Sequence, residues 1–360
     1  MSNNLRFQTQ SSQPTSWEGA AGIDILFPSN GLPETISGLR YPANGWETVT
    51  FLKKFIRTLR NCRSVRLNLD SEVSILRQAL PPLLISRFLG KRIIVHYKRN
   101  QLETDLEQYG WWLLPVLRLC DRVVVSSRFA AELLGRYGVT TVVIPPAVDP
   151  DLLERRLVSH IQPKVIVARS LQSRNNVACI IEAMARVKQK YPRAELIICG
   201  DGPRRADLQR LVRSLKQNGV TFMGRVDGRE QARCLDEADL YVNASSVDGL
   251  PESLIQALTA GLPVVTTDAG GISEVVTDGD NGLIVKSHDP AGLAECIIQL
   301  VESPALAERL SRNASRSVAD CLQSVIEKKW RELYESPGDA GRSVQTQRQS
   351  TGHAVRPVDP

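Results

Sequence analysis

The sequence predicts an α/β chain built as two parallel-sheet domains, and three observations predict it. Short apolar runs alternate with longer segments of helical period, the pattern of strands joined by crossover helices. The alternation is interrupted once, at Pro145-Pro146-Ala147-Val148-Asp149-Pro150, where three prolines in six residues make a stiff connector. The chain of 360 residues is long enough for two domains that each bury a core.

Taken in order, residues 1–20 are polar and without pattern and are expected to be disordered. A first domain over 21–150 then starts with the apolar run Gly22–Phe27, a strand, followed by the turn residues Pro28-Ser29-Asn30-Gly31. Thr48–Arg60 places Val49, Leu52, Ile56 and Leu59 at helical spacing. Strands are predicted at Ser64–Leu69, Arg92–His96, Arg122–Val125 and Thr141–Ile144. Helices are predicted at Ile75–Leu89, broken or restarted at Pro81-Pro82, and at Leu102–Leu119 and Ser127–Tyr137. A second domain over 151–320 repeats the alternation more cleanly, with strands at Lys164–Ala168, Glu195–Cys199, Thr221–Met223, Leu240–Asn243, Val264–Val265 and Gly282–Val285. Helices at Asn176–Tyr191, Ala206–Gln217 and Glu230–Ala238 separate the first four of these. Residues 321–335 form a last helix, and 336–360 are a low-complexity tail with no reason to fold.

Composition narrows the class. At 42% hydrophobic and 23% charged residues the chain is ordinarily globular. No apolar run approaches the length of a membrane span, and the start lacks a secretion signal, so the expected location is cytoplasmic. The seven cysteines (62, 120, 179, 199, 234, 296 and 321) are scattered singly, which argues for reduced thiols over a zinc site or a disulfide framework. Residues 1–150 hold 18 Lys and Arg against 12 Asp and Glu, so the whole net charge of +6 lies there. A basic half suits an anionic acceptor, or peripheral contact with the inner face of an anionic membrane. Nucleic acid is not an expected partner, because no basic patch with interleaved aromatics occurs.

The stretch on which function turns is Asn243–Ile272. It runs polar loop, helix (251–260), Gly stop, short strand and Gly-rich loop, with Pro251 in the first turn and Leu254, Ala257 and Leu258 on one apolar stripe. The positive helix start follows Asp248-Gly249-Leu250, where bare N–H groups can hold a phosphate or sugar oxygen. Arg169 and Arg174 frame the loop Val167-Ala168-Arg169-Ser170-Leu171-Gln172-Ser173-Arg174-Asn175, and two guanidinium forks at a strand-to-helix turn suit a diphosphate. Cys199-Gly200-Asp201-Gly202-Pro203 is not a dinucleotide fingerprint, since the third glycine position is Arg205.

These residues resemble the signature of family 4 retaining glycosyltransferases (glycosyl transferases group 1). The likeness rests on Asp248-Gly249-Leu250-Pro251, Gln256-Ala257, Ala260-Gly261-Leu262-Pro263-Val264-Val265, Asp268-Ala269-Gly270-Gly271 and Glu274-Val275-Val276. Ile144-Pro145-Pro146-Ala147-Val148-Asp149 is similar to that family's interdomain segment. The resemblance implies a GT-B fold, two Rossmann-like domains facing a cleft with the C-terminal helix crossing back to the first. Nucleotide-sugar would bind mainly to the second domain and a sugar or lipid-linked acceptor to the first. It implies metal-independent transfer with retention of configuration and no cofactor beyond the nucleotide-sugar itself. Arg169 and Arg174 would hold the diphosphate; Gly202 would form the family's Gly-x-Gly-Pro turn, and Arg225 and Val226 would lie near the base. Gly249, Leu250 and Pro251 would line the phosphate and sugar, Asp248 would contact the donor sugar, and Gln256 the ribose.

Two departures stand out, because the family carries Glu at both positions 248 and 256. Gln256 loses charge-assisted strength of about 1 kcal/mol, and the shorter Asp248 can shift a contact by about 1 Å. In the first domain only Gly38 or Asn44-Gly45 stands in for the family's Gly-Gly loop, and one βα unit is short. The family's active-site His corresponds to His96, or to Lys98 if the register is two later. A nucleotide-sugar-binding protein or partner subunit with impaired catalysis is therefore the second reading, and a nucleotide-sugar epimerase the third.

Overall fold

The computed structural model describes residues 22–26, 35–40, 53, 55–57, 59, 62, 64–69, 80–158 and 160–336. Among them lie two six-stranded sheets. The first contains β1 (Gly22–Leu26), β2 (Thr35–Arg40), β3 (Ser64–Leu69), β4 (Arg92–Tyr97), β5 (Arg122–Val125) and β6 (Thr141–Val143), in the order β2-β1-β3-β4-β5-β6. Strands β3 to β6 are parallel, whereas β1 pairs antiparallel with both β2 and β3. This edge hairpin was not expected. Gly38 sits inside β2, so it does not serve as a phosphate-facing loop, and Asn44-Gly45 lies outside the described residues.

The second sheet is parallel throughout, with β7 (Lys164–Ala168), β8 (Glu195–Cys199), β9 (Val220–Gly224), β10 (Leu240–Asn243), β11 (Val264–Thr267) and β12 (Leu283–Val285) in the order β12-β11-β10-β7-β8-β9. Its central strands read as near-continuous apolar runs because helices cover both faces. The order reverses between β7 and β10, and in such sheets ligands bind beyond the carboxyl ends of the strands at that reversal. The site residues follow β7, β8, β9 and β10, on that edge.

Helices α1 (Leu80–Phe88), α2 (Leu102–Arg118) and α3 (Arg128–Arg136) send Leu83, Leu113, Leu117 and Leu134 into one core beneath the first sheet. Pro81 and Pro82 fall in the first turn of α1, where a missing N–H is harmless; residues 75–79 of the predicted helix lie outside the described residues. In the second domain α4 (Val177–Lys190), α5 (Arg205–Ser214), α6 (Gly228–Glu237), α7 (Glu252–Thr259), α8 (Pro290–Glu302) and α9 (Pro304–Ser317) follow their strands. Gly270–Glu274 forms a 3-10 turn.

The last helix, α10 (Gln323–Glu335), returns to the first sheet. Ile326 and Leu333 pack on Ile94, Val124 and Ile144, and the Arg66 guanidinium lies 4.7 Å from the Trp330 ring centroid. Arg92 donates to the Tyr334 carbonyl at 3.3 Å and to that of Ser336 at 2.7 Å. Both passages between the domains are tied together: Val148 N–H donates to the Cys321 carbonyl and Gln323 N–H to the Val148 carbonyl, each at 2.9 Å.

Period-2 alternation in β4 then decides the fate of His96. Ile93, Val95 and Tyr97 point into the α1–α3 core, whereas Ile94 and His96 face α10. The His96 ring meets Trp330 edge-on at 5.0 Å between centroids, and its Nδ1 is buried without a partner. The structure thus places His96, named above as an acceptor-side candidate, in the packing beneath the returning helix. Burial, with Lys98 and Arg66 adding to it, holds its pKa well below the ordinary value. Unfolded chains take up this proton as pH falls through about 6.5 while the folded chain does not, so the neutral ring contributes stability that is lost on acidification. Urea denaturation at pH 7 and pH 5 should therefore show a larger loss for the native chain than for His96→Leu; equal losses would contradict this placement.

Candidate functional site

Two loops and one helix start build the site. The loop after β7 carries Arg169 and Arg174, and the loop after β10 carries Asp248, which leads into α7. Arg169 donates to Asp248 Oδ2 at 2.5 Å and to Asn175 Oδ1 at 3.0 Å. Asn175 is itself held by the Ser170 carbonyl at 2.6 Å and the Ser170 hydroxyl at 2.9 Å. From the other side, Ser246 N–H donates to the Arg174 carbonyl at 2.8 Å, and Thr267 hydroxyl to the Ser245 carbonyl at 2.6 Å. The two loops are thereby fastened edge to edge over the carboxyl ends of β7, β10 and β11.

Glycines make this closeness possible. A Cβ on Gly200 would stand 2.0 Å from the Arg169 carbonyl oxygen, and one on Gly202 2.7 Å from that of Leu171. Gly202 is therefore a packing necessity of the Gly-x-Gly-Pro turn, brought against the Arg169–Arg174 loop. Gly270 is equally constrained, since a Cβ would stand 1.8 Å from the Asp248 carbonyl oxygen.

Asp248 is buried and both of its oxygens are occupied, Oδ2 by Arg169 and Oδ1 by the Gly249 N–H at 3.0 Å. Its short side chain holds it back against Arg169, where it positions the guanidinium rather than facing open cleft. Arg174 differs. Among the described residues no carboxylate is paired with it, it is half-buried, and its Nε lacks a partner. Burial and then the neighbouring Arg169 charge push its pKa down, with the Asp248 and Asp105 charges opposing them.

Helix α7 begins at Glu252 with Pro251 as its cap residue, so no side chain covers its first N–H groups. Leu250 is buried, and Gly249 abuts Asn100 of the first domain, where a Cβ would stand 2.9 Å from Asn100 Oδ1. Gln256 accepts a short hydrogen bond from Gln231 and donates to Glu252 at 3.2 Å. Arg225 and Val226 follow the left-handed Gly224 at the end of the edge strand β9, with Arg225 exposed. They lie two strands from the arginine loop.

The first domain faces this assembly across a cleft. Lys98, exposed just beyond β4, is the charge that opposes the desolvation which raises the Glu252 pKa. Arg99 makes a bidentate pair with buried Asp105, at 2.5 and 2.6 Å, and its charge reaches Arg174. Glu274 spans the gap, accepting from the N–H groups of Arg128 and Phe129 at 2.9 and 2.8 Å and so capping α3. Sequence reasoning missed Asn100, Gln231, Arg99 and Glu274. Only Glu274 stood in a motif that could have flagged it.

Asp149-Pro150-Asp151 and Asp278-Gly279-Asp280 are Asp-x-Asp triplets, and three of their carboxylates are engaged in hydrogen bonds within the chain. Asp149 accepts from the Asp151 N–H at 3.0 Å, Asp278 from the Ile284 N–H at 2.8 Å, and Asp280 from the Asn313 amide at 2.9 Å. Among the described residues no group of three or more His, Cys, Asp and Glu side chains could hold a metal ion. Neither is any described helix long and apolar enough to cross a membrane.

Comparison with known proteins agrees with this layout. Residues 151–317 match the family Glycosyl transferases group 1. The phosphatidyl-myo-inositol mannosyltransferase of Mycobacterium leprae (strain TN) is 26% identical over 237 residues, covering 63% of this chain and 62% of that protein. The alpha-D-kanosaminyltransferase of Streptomyces kanamyceticus is 27% identical over 264 residues, covering 66% and 68%. The match thus spans less than two thirds of the mannosyltransferase. The crystal structure of Anabaena HepE in complex with UDP and glucose superposes with a TM-score of 0.67 over 80% of this chain and 82% of that one, at 19% identity. The fold is accordingly GT-B, two α/β domains either side of a cleft.

Breaking a buried pair leaves an uncompensated charge at a cost of about 3–5 kcal/mol, whereas removing both partners costs much less. Arg169→Ala should therefore destabilise the second domain by about that amount, and Arg169→Met with Asp248→Leu should recover most of it. Thermal denaturation of the three proteins decides; equal stability of Arg169→Ala and the native chain would remove the pair from its structural role.

Proposed function

We propose that the chain is a retaining, metal-independent glycosyltransferase that takes its sugar from a nucleotide-diphosphate donor. The observation that carries this reading is Arg174: a half-buried guanidinium with no carboxylate paired to it among the described residues, beside the buried Arg169–Asp248 pair and near the uncapped start of α7. A diphosphate supplies the missing negative charge, and guanidinium and backbone N–H groups stabilise it as it leaves. The group 1 match over 151–317 and the UDP held by HepE support a nucleotide donor.

In this mechanism Arg174 takes the phosphate oxygens directly. Arg169 is aimed by Asp248 and contributes through its remaining N–H groups. The N–H groups after Pro251 receive the phosphate nearest the sugar, Gly224-Arg225-Val226 border the base, and Gln256 receives the ribose hydroxyls. Lys98, across the cleft, faces the donor sugar from the acceptor side. The mannosyl and kanosaminyl transferases among the relatives support a lipid-linked, glycan or small-molecule acceptor. Nothing in the residues favours an epimerase over this reading. A nucleotide-sugar-binding subunit without turnover remains the second reading, favoured by Asp248 being fully engaged.

Incubation with UDP-, GDP- and ADP-sugars and extracted acceptors separates the two: transferred sugar supports the enzyme, and tight nucleotide binding without transfer supports the binding protein. Arg174→Ala should weaken nucleotide-diphosphate binding by about 1.5–3 kcal/mol, read by calorimetry, and unchanged affinity would take Arg174 out of the site. The Gln256 substitution has a subtler expectation. Because Gln256 donates to Glu252, a carboxylate at 256 would confront another one turn earlier. Gln256→Glu alone should therefore leave nucleotide affinity near the native value, and Gln256→Glu with Glu252→Gln should raise it. If the single change proves the better binder, Glu252 does not oppose a charge at 256.

A further inference from the structure

At the end of the first domain opposite the cleft, each of three helices finishes in the same way: an arginine followed by an exposed large apolar side chain. The endings are Arg87-Phe88-Leu89 at the close of α1, Arg118-Leu119 at that of α2 and Arg136-Tyr137 at that of α3. Phe88 is 91% exposed, Leu89 37%, Leu119 42% and Tyr137 44%. Topology makes these ends neighbours. The three helices precede the parallel strands β4, β5 and β6 and run against them on one face, so all three finish at the strands' amino edge.

Contacts join them into one rim. Arg118 donates to the Tyr137 carbonyl at 2.6 Å, Arg87 lies 3.8 Å from Asp121 in the turn after α2, and Lys91 donates to the Cys62 carbonyl at 2.9 Å. Leu84, 50% exposed, stands one turn before Phe88, and Trp111, 82% exposed, extends the apolar surface up the outside of α2. Arg87, Lys91, Arg118, Arg122 and Arg136 supply five positive charges. Against them stand Glu132 one turn before Arg136, Asp121, which is engaged by the Ile93 N–H at 2.7 Å and by Arg87, and Glu335 at the end of α10.

We propose that this rim docks the protein on an anionic bilayer. Phe88, Leu89 and Leu119 would enter the headgroup boundary while the arginines and Lys91 meet lipid phosphates, the combination of apolar insertion and basic fringe that lies on a membrane without spanning it. The charge excess selects a negatively charged surface over a neutral one. The assignment is independent of the transferase reading and adds a constraint to it. The six residues of β4 span about 20 Å, so Lys98 and the cleft stand at least that far above the docked rim. An acceptor sugar must therefore be carried on a long glycan or be free in solution, rather than sit at the headgroup level beneath the rim.

Flotation of the full chain with phosphatidylcholine vesicles, with and without phosphatidylglycerol, tests this. Native protein should float with the anionic vesicles, release with added salt, and ignore the neutral ones. Phe88→Ser and Arg136→Gln, both at exposed positions, should each lower the bound fraction about tenfold, with nucleotide binding measured in the same samples unchanged. No flotation of the native chain, or flotation equal in both variants, would overturn the proposal. So would a concentration-dependent dimer in sedimentation velocity that Phe88→Ser abolishes, since the rim would then join two copies. Absence of nucleotide binding by the native chain, with its flotation intact, would instead count against the transferase reading alone.

Discussion

One buried ion pair organises the second domain's working edge. Arg169 and Asp248 come from loops nearly eighty positions apart, and neither can be left alone in so dry a place without a heavy penalty. Their pairing dictates where the two loops meet, and Asn175, Ser245 and Thr267 complete the polar network around it. The consequence lies next door. With Asp248 hydrogen-bonded to Arg169, Arg174 is a half-buried cation that the Asp248 and Asp105 charges reach only from a distance. The proposed diphosphate would bring negative charge to this cation directly.

Much of the second domain was legible because its physics is local. Parallel strands buried on both faces must be apolar from end to end, so Val165–Val167, Leu196–Ile198 and Val264–Val265 announce themselves. The proline connector and the arginine loop were equally readable. What escaped depends on distant packing. His96 and Lys98 share one face of β4, so which of them stays open depends on how far along that face the final helix reaches, and Trp330 covers His96 from the far end of the chain. The hairpin strand Thr35–Arg40, with Gly38 inside it, carries a loop-like composition and forms only because β1 offers it an edge. Asp248 read as a donor contact because nothing near it in sequence shows that Arg169 claims it.

The cross-cleft contacts show how closely the two domains approach. Glu274 caps a helix of the opposite domain, Gly249 rests on Asn100, and Gly271 lies so close to Ser127 that a Cβ would stand 2.7 Å from its Cβ. Such contacts place first-domain groups beside the arginine loop, and they make the site a property of both domains. The charge of the first domain is likewise divided between two places, with Lys98 and Arg99 at the cleft and the arginine rim at the opposite end.

The hydrogen bonds between Val148 and the Cys321–Gln323 segment have a practical meaning for anyone dissecting the chain. By order of sequence α10 belongs after the second domain, but mechanically it is the lid of the first, sealing Ile94, Val124 and the buried His96 ring. A fragment cut at the prolines would thus strip one half of its cover and leave the other trailing an apolar helix. The chain is divided into two halves by its sheets, yet it cannot be divided by a single cut.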